Sequence, residues 1–126
     1  MKNTTYIKLA AILGALAVVI GAFGAHSLEP VLTKNDYLAT FETAVKYQFY
    51  HTLAILLIGV LIGIYQKNKF LKYSAHSFLA GIIIFSGSLY VLSLTNLTWL
   101  GAITPIGGLA FILGWILLFV GVWKKS

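Results

Sequence analysis

Charged residues divide this sequence into long uncharged, apolar segments, and this division constrains the fold more than any other feature. Segments of 20 uncharged residues run from Leu9 to Leu28 and from Tyr47 to Gln66, and one of 51 follows Lys72. About 20 apolar residues cross the hydrocarbon core of a bilayer as a helix, and a charge at its centre costs roughly 3 kcal/mol. The sequence therefore predicts an integral membrane protein.

The longest uncharged segment has room for two spans joined by a turn. Polar and turn-forming residues interrupt its apolar run at Thr95, Asn96, Thr98, Gly101, Thr104 and Pro105. Thr104 followed by Pro105 suits the N-cap and first position of a helix. We therefore predict an all-α fold, one membrane domain over residues 1–126 that forms a four-helix bundle. Its spans are expected near 7–26, 47–66, 74–94 and 104–123.

The connection between the first two spans is predicted to contain a short amphipathic interfacial helix over about 34–46. Thr33 and Asp36 have the spacing of a capping box, with Asp in place of the usual Glu. The apolar residues that follow recur at intervals suited to one face of a helix. Such a helix would lie at the membrane surface and lead into the second span.

The lysines predict the orientation of the bundle. Seven of the nine flank the predicted spans at the end that carries both chain termini: Lys2, Lys8, Lys67, Lys69, Lys72, Lys124 and Lys125. Lys34 and Lys46 share the opposite end with all three acidic residues. Cytoplasmic segments are enriched in lysine. We therefore expect a multi-pass protein of the cell membrane with both termini in the cytoplasm.

Composition excludes several classes of function. The net charge of +6 is explained by topology in a chain that is 60% hydrophobic, so we expect the lipid bilayer as a partner, with a second copy of the chain or another membrane protein as possible partners, and no nucleic acid. The absence of cysteine excludes disulfides and thiolate metal sites. The first segment also resembles a cleavable signal peptide, because Lys2 and Lys8 precede an apolar run, but we expect it to be retained as a span.

Small residues recur at close to heptad spacing along the predicted spans. In lipid, helices associate mainly through van der Waals contact, so missing side chains favour close packing. We expect these glycines to pack helices within one bundle; the alternative is an oligomer interface or a pore wall. The predicted packing glycines are Gly14, Gly21, Gly59, Gly63, Gly107 and Gly114.

Polar residues inside the spans are few and do not assemble into a recognisable reaction centre. His26 and His51 are expected near the outer boundary and could share a site, whereas His76 lies near the inner one. We favour histidines that only hydrogen-bond their neighbours over a metal or haem site. No nucleophile is visibly paired with a base, so we expect no enzyme activity, no cofactor and no metal.

Several motifs resemble the YgdD/YwdK-like family of small membrane proteins. They are GAFGAHSL at Gly21–Leu28, FETAVKYQFYHTLA at Phe41–Ala54, GSLY at Gly87–Tyr90 and TPIGG at Thr104–Gly108. The resemblance covers nearly the whole chain. It implies a multi-helix membrane protein with no established activity. It also groups a polar signature at the outer face: His26, Glu42, Lys46, Tyr47, Gln48 and His51.

These features support a binding or structural role. We expect the polar signature to engage a lipid head group, a small apolar ligand or another membrane protein. The alternative is a homo-oligomeric small channel or transporter whose subunits meet along the glycine stripes. A transporter of cations normally needs a charged group within the membrane, and none is evident in the spans.

Overall fold

The computed structural model describes residues 2–124, and within that range every regular element is helical. Lys125, one of the seven lysines counted above, lies outside the described residues. The α-helices are α1 (Asn3–Ala25), α2 (Glu29–Lys34), α3 (Leu38–Ile64), α4 (Lys69–Gly81), α5 (Gly87–Thr95) and α6 (Thr104–Trp123). A π-helical turn over Ile82–Ser86 joins α4 to α5, and a 3₁₀ turn over Thr98–Ala102 precedes α6.

Four helical units are long and apolar enough to cross a membrane: Asn3–Ala25, Leu38–Ile64, Lys69–Thr95 and Thr98–Trp123. This confirms the predicted all-α membrane bundle of four helices. The last predicted span, 104–123, coincides with α6, while the other three helices extend beyond the predicted bounds at one or both ends. Thr104, the predicted N-cap, is the first residue of α6, and the N-cap is Ile103, one position earlier.

The connection between the first two spans differs in its boundaries from the prediction. Asp36 adopts a left-handed conformation with φ of 61°, and the Tyr37 backbone N–H donates to the carbonyl of Leu32 over 2.8 Å. This C-terminal cap ends the short helix α2. The Thr33 hydroxyl donates to the Glu29 carboxylate, so the predicted cap at Thr33 is wrong. Residues 38–46 belong to α3, and the short helix of the connection is α2.

The two central units of the bundle are α3 and the continuous α4–α5 unit. In the most apolar 18-residue stretch of each unit, 44% is buried inside the protein. The corresponding share is 17% for α1 and 22% for the unit that contains α6. The α1 helix packs against α3, and α6 packs against α4 and the π-turn. The α1 and α3 helices are antiparallel, because Gly24 meets Phe41 while Gly63 meets Asn3 at the other end of α1. The α4–α5 unit and α6 are antiparallel too, because Gly107 meets Phe85 and Gly121 meets Leu71.

The start of α1 and the end of α6 therefore lie at one end of the bundle, which we call the terminal end. The opposite end carries the α1–α2–α3 connection and the α5–α6 connection, and we call it the loop end. Large apolar side chains such as Ile12, Leu109 and Phe119 are more than half exposed on α1 and α6. Contiguous apolar surface of this kind is rare on a soluble monomer and suits contact with lipid.

At each predicted packing glycine, an added Cβ would meet a neighbouring helix of the same chain. A Cβ on Gly114 would lie 2.5 Å from Phe78 Cδ1, and one on Gly107 would overlap the backbone of Phe85. A side chain of the neighbouring helix also contacts each of the other four predicted glycines: Gly14, Gly21, Gly59 and Gly63. The stripes are thus used for contacts inside one bundle.

Candidate functional site

His51 is buried at the contact between α3 and α6. Its Nδ1 lies 2.8 Å from the backbone carbonyl of Tyr47, and the indole N–H of Trp115 donates to its Nε2 over 3.1 Å. A carbonyl only accepts and an indole N–H only donates, so the ring is neutral with its proton on Nδ1. The ring stacks on Phe111, with centroids 3.6 Å apart. Both nitrogens are therefore used within the protein.

Gln48 connects three helices. Its side-chain amide donates to the carbonyl of Leu13 in α1 over 2.9 Å, and its Oε1 accepts a hydrogen bond of 2.5 Å from the Tyr90 hydroxyl in α5. The side chain is 3% exposed. Hydrogen bonds between helices stabilise membrane bundles. Gln48 therefore holds α1, α3 and α5 together.

Tyr47 is partly exposed on another side of α3 from Gln48. Its ring lies against Phe85, with centroids 4.7 Å apart, and also contacts the rings of Tyr50 and Phe111. Its backbone carbonyl accepts a hydrogen bond from the Nδ1–H of His51. Tyr47 thus belongs to the aromatic contact between α3, the π-turn and α6.

Glu42 and Lys46 are both exposed at the loop end, where they line the mouth of a groove between α1 and α3. This part of the groove has a volume of about 190 Å³. Its floor and walls are apolar: Gly21, Gly24, Ala25, Phe41 and Val45. Two opposite charges therefore stand beside an apolar channel.

A second cavity of about 330 Å³ lies further along the contact between α1 and α3, toward the middle of the bundle. It is lined by small residues of α1, including Gly14, and by Phe49, Thr52 and Leu53 of α3. Lys46, Phe49 and Leu53 share one face of α3 because they are three or four residues apart. We call the two cavities together the α1–α3 groove. From Glu42 to Leu56, the last residue of α3 that lines it, the groove extends about 21 Å along the helix.

His26 lies apart from the α1–α3 groove and from His51. It is exposed at the end of α1, where it lines a separate depression with Ala22, Phe23 and Ser27. His51 is ten residues beyond Phe41, the residue that meets Gly24 near the end of α1. Ten residues correspond to about 15 Å along a helix, so the two histidines are not brought together.

The predicted polar signature is therefore distributed over three places. Glu42 and Lys46 lie together at the groove, His26 lies in its own depression, and the other three residues make contacts between helices. His76 lies toward the terminal end, with its Nε2 3.3 Å from the hydroxyl of Tyr6. Within residues 2–124, no three histidine or acidic side chains are placed to hold a metal ion.

Several residues that join the helices were missed by the sequence reasoning. Asn68 accepts from the backbone of Phe70 as the N-cap of α4 and donates to the carbonyl of Gly121 over 3.0 Å. An asparagine just before an apolar run is a signal that could have identified it. The Ser86 hydroxyl of the π-turn donates to the carbonyl of Ala44 in α3, a hydrogen bond between helices of the kind that stabilises membrane bundles.

Comparison with known proteins shows the family. The sequence model of a protein family described as "protein of unknown function (DUF423)" matches residues 20–108. This range includes Glu42, Lys46, Gln48 and His51. The chain belongs to the DUF423 family. No solved structure matches it.

Curated relatives of this DUF423 chain are named as UPF0382 membrane proteins. SAB0533 of Staphylococcus aureus is 49% identical over 94% of this chain and 98% of the relative. YwdK of Bacillus subtilis is 43% identical over 94% and 96%, and a Haemophilus influenzae relative is 42% identical over 100% and 98%. These matches confirm the resemblance to the YgdD/YwdK-like family and a multi-pass membrane protein.

Proposed function

We propose that this DUF423 protein is a non-enzymatic protein of the cell membrane that binds a phospholipid in the α1–α3 groove. The observation that carries the proposal is the exposed pair Glu42 and Lys46 at the mouth of an apolar channel. A phospholipid with a zwitterionic head group carries an amine and a phosphate. The carboxylate suits the amine and the lysine suits the phosphate, because hydrogen bonds between charged partners are the stronger ones.

The depth of the groove supports an acyl chain as the apolar part of the ligand. One leaflet contributes about 15 Å to a hydrocarbon core of roughly 30 Å. Glu42 and Leu56 are about 21 Å apart along α3, so with a head group at Glu42 the apolar walls are long enough for an acyl chain that crosses one leaflet. The walls combine glycine and alanine of α1 with Phe49 and Leu53 of α3.

Two buried polar residues of α3 hold the proposed lipid site in position. Gln48 and His51 tie α3 to α1, α5 and α6, so the α3 face that carries Glu42 and Lys46 is held in position. Their hydrogen-bonding groups are occupied within the chain.

The alternative, a homo-oligomeric channel or transporter, has less support. The predicted glycine stripes are used for contacts inside one bundle, and the polar side chains Gln48 and His51 pair within the chain. A charged path along the bundle would be needed for cation transport.

The experiment that tests lipid binding is native mass spectrometry of the purified protein titrated with phosphatidylethanolamine. Removing either charge, in Glu42→Gln or Lys46→Gln, should weaken binding by about fivefold, since a charge near the membrane surface contributes about 1 kcal/mol. Glu29→Gln and Lys34→Gln are the matched controls, because both residues are exposed at the loop end outside the groove. Equal losses in the two pairs would refute a site at Glu42 and Lys46.

A steric test addresses the groove itself. Ala25→Leu places a larger side chain into the mouth of the groove, whereas Ala22→Leu enlarges an alanine of the same exposed helix turn outside it. Bound lipid should fall in the first variant and stay unchanged in the second. Unchanged lipid occupancy in Ala25→Leu would show that the lipid binds elsewhere.

The proposed orientation, with both termini in the cytoplasm, can be tested by cysteine labelling because the chain has no cysteine. Thr98→Cys lies at the loop end and Lys69→Cys at the terminal end. A membrane-impermeant maleimide should label the first variant on intact cells and the second only after permeabilisation. The opposite pattern would place Glu42 and Lys46 on the cytoplasmic side.

A further inference from the structure

An open cavity of about 610 Å³ lies at the terminal end, between the start of α1 and the α3–α4 connection. Three lysines line it: Lys2 before α1, Lys67 in the connection and Lys72 in the first turns of α4. The side-chain amides of Asn3 and Gln66 belong to the same lining. The cavity therefore combines cationic groups with neutral hydrogen-bond donors.

No carboxylate side chain balances this charge locally. The acidic side chains of the sequence are Glu29, Asp36 and Glu42, and all three lie at the loop end. The lining of the cavity therefore includes three lysines and no acidic side chain. Lysines converging on one cavity raise the local concentration of anions.

Two other lysines at the terminal end contact an aromatic ring. Lys69 and Lys124 lie over the ring of Phe70, 5.6 and 4.8 Å from its centroid. Neither of them lines the cavity. Lys69 and Lys124 therefore form a pair of described lysines at the same end that lies outside the cavity.

The cavity also contains the amino end of α1. Asn3 and Thr4 form its first turn, where backbone N–H groups point away from the helix and the helix dipole is positive. No acidic residue occupies that turn. A helix N-terminus of this kind favours phosphate and other anions.

We propose that this cavity binds a phosphate group, with Lys2, Lys67 and Lys72 as charge partners and the first turn of α1 as hydrogen-bond donor. The phosphate belongs either to the head group of an anionic phospholipid or to a soluble phosphate compound. The site is at the opposite end of the bundle from the α1–α3 groove, so it is independent of the function proposed above.

The test measures binding of dioctanoyl phosphatidylglycerol and of inorganic phosphate by isothermal titration calorimetry, with the full chain in an uncharged detergent at low salt. Lys67→Gln/Lys72→Gln should weaken phosphatidylglycerol binding about 30-fold, from two charges at the surface. The matched control is Lys69→Gln/Lys124→Gln, which removes the same charge outside the cavity and should change binding less than about threefold. Lys67→Arg/Lys72→Arg should retain binding, and circular dichroism checks that each variant is folded.

The results separate the two sources of phosphate. Displacement of phosphatidylglycerol by inorganic phosphate supports a site for soluble phosphate compounds, and saturable binding without displacement supports the lipid head group. Equal weakening in both lysine pairs would overturn the proposal, because general attraction to a basic surface would then suffice. Equal affinity for phosphatidylcholine, or no saturable binding of either probe, would overturn it as well.

Discussion

Replacing Gln48 by leucine should destabilise the bundle more than any substitution at an exposed position of α3. Leucine has a similar volume but can neither donate to the carbonyl of Leu13 nor accept from the Tyr90 hydroxyl. The first bond joins α1 to α3 and the second joins α3 to α5. Gln48→Leu therefore removes polar attachments to two neighbouring helices at once.

The expected loss of folding free energy combines two lost hydrogen bonds with the penalty for a hydroxyl group left unpaired. Hydrogen bonds between membrane helices contribute about 0.6 kcal/mol on average and up to about 1.7 kcal/mol. The Tyr90 hydroxyl, left without its partner, adds a penalty of roughly 1–3 kcal/mol. We expect Gln48→Leu to cost about 2–4 kcal/mol. Gln48→Leu/Tyr90→Phe should cost about 1–2 kcal/mol less than the sum of the single variants, since it removes both partners of one bond.

The free energy of unfolding can be measured by titrating the protein in dodecyl maltoside with dodecyl sulfate and following circular dichroism. Tyr50→Phe is the control, because Tyr50 is an exposed tyrosine on the same helix. Additive effects of Gln48→Leu and Tyr90→Phe would refute the reasoning, because they would show that the hydroxyl and the amide do not interact. An effect of Tyr50→Phe as large as that of Gln48→Leu would refute it too.

Three further predictions use the same unfolding assay. Gly107→Ala should destabilise by about 1–3 kcal/mol because its methyl would overlap the Phe85 backbone, whereas Gly108→Ala, whose added methyl finds only ordinary contact, should not. Gly87→Ala should stabilise by about 0.5–1 kcal/mol, since no atom lies within 4 Å of the new methyl and alanine is the better helix former. Trp115→Phe should cost about 1–3 kcal/mol by leaving the Nε2 of its histidine acceptor unpaired, and no change would disprove that bond.

The membrane fold could be predicted because its strongest constraint acts along the chain. Charges are excluded from the hydrocarbon core one residue at a time, so the positions of Lys8, Glu29, Lys46 and Lys67 delimit the first two spans without any knowledge of packing. Boundaries were less predictable. Asp36 has the spacing of a capping residue, but it adopts the left-handed conformation that ends α2.

The candidate site was predicted only as a set of residues, because helical spacing does not tell which neighbour each face meets. Glu42 and Lys46 are exposed at a groove, whereas Gln48 and His51, further along the same helix, point to α1, α5 and α6. The π-turn over Ile82–Ser86, which brings the Ser86 hydroxyl to Ala44, has no signal in the apolar pattern.

The sequence by itself determined that this protein has four apolar helices suited to a membrane and a lysine-rich end, because the cost of placing a charge in lipid depends on the residue alone. The tertiary structure decided that His51 pairs with Trp115 and that three lysines share one cavity. Both arrangements depend on how each helix is rotated and which helices lie beside it. Close contacts between helices, such as that of Gly107 with Phe85, fix this rotation.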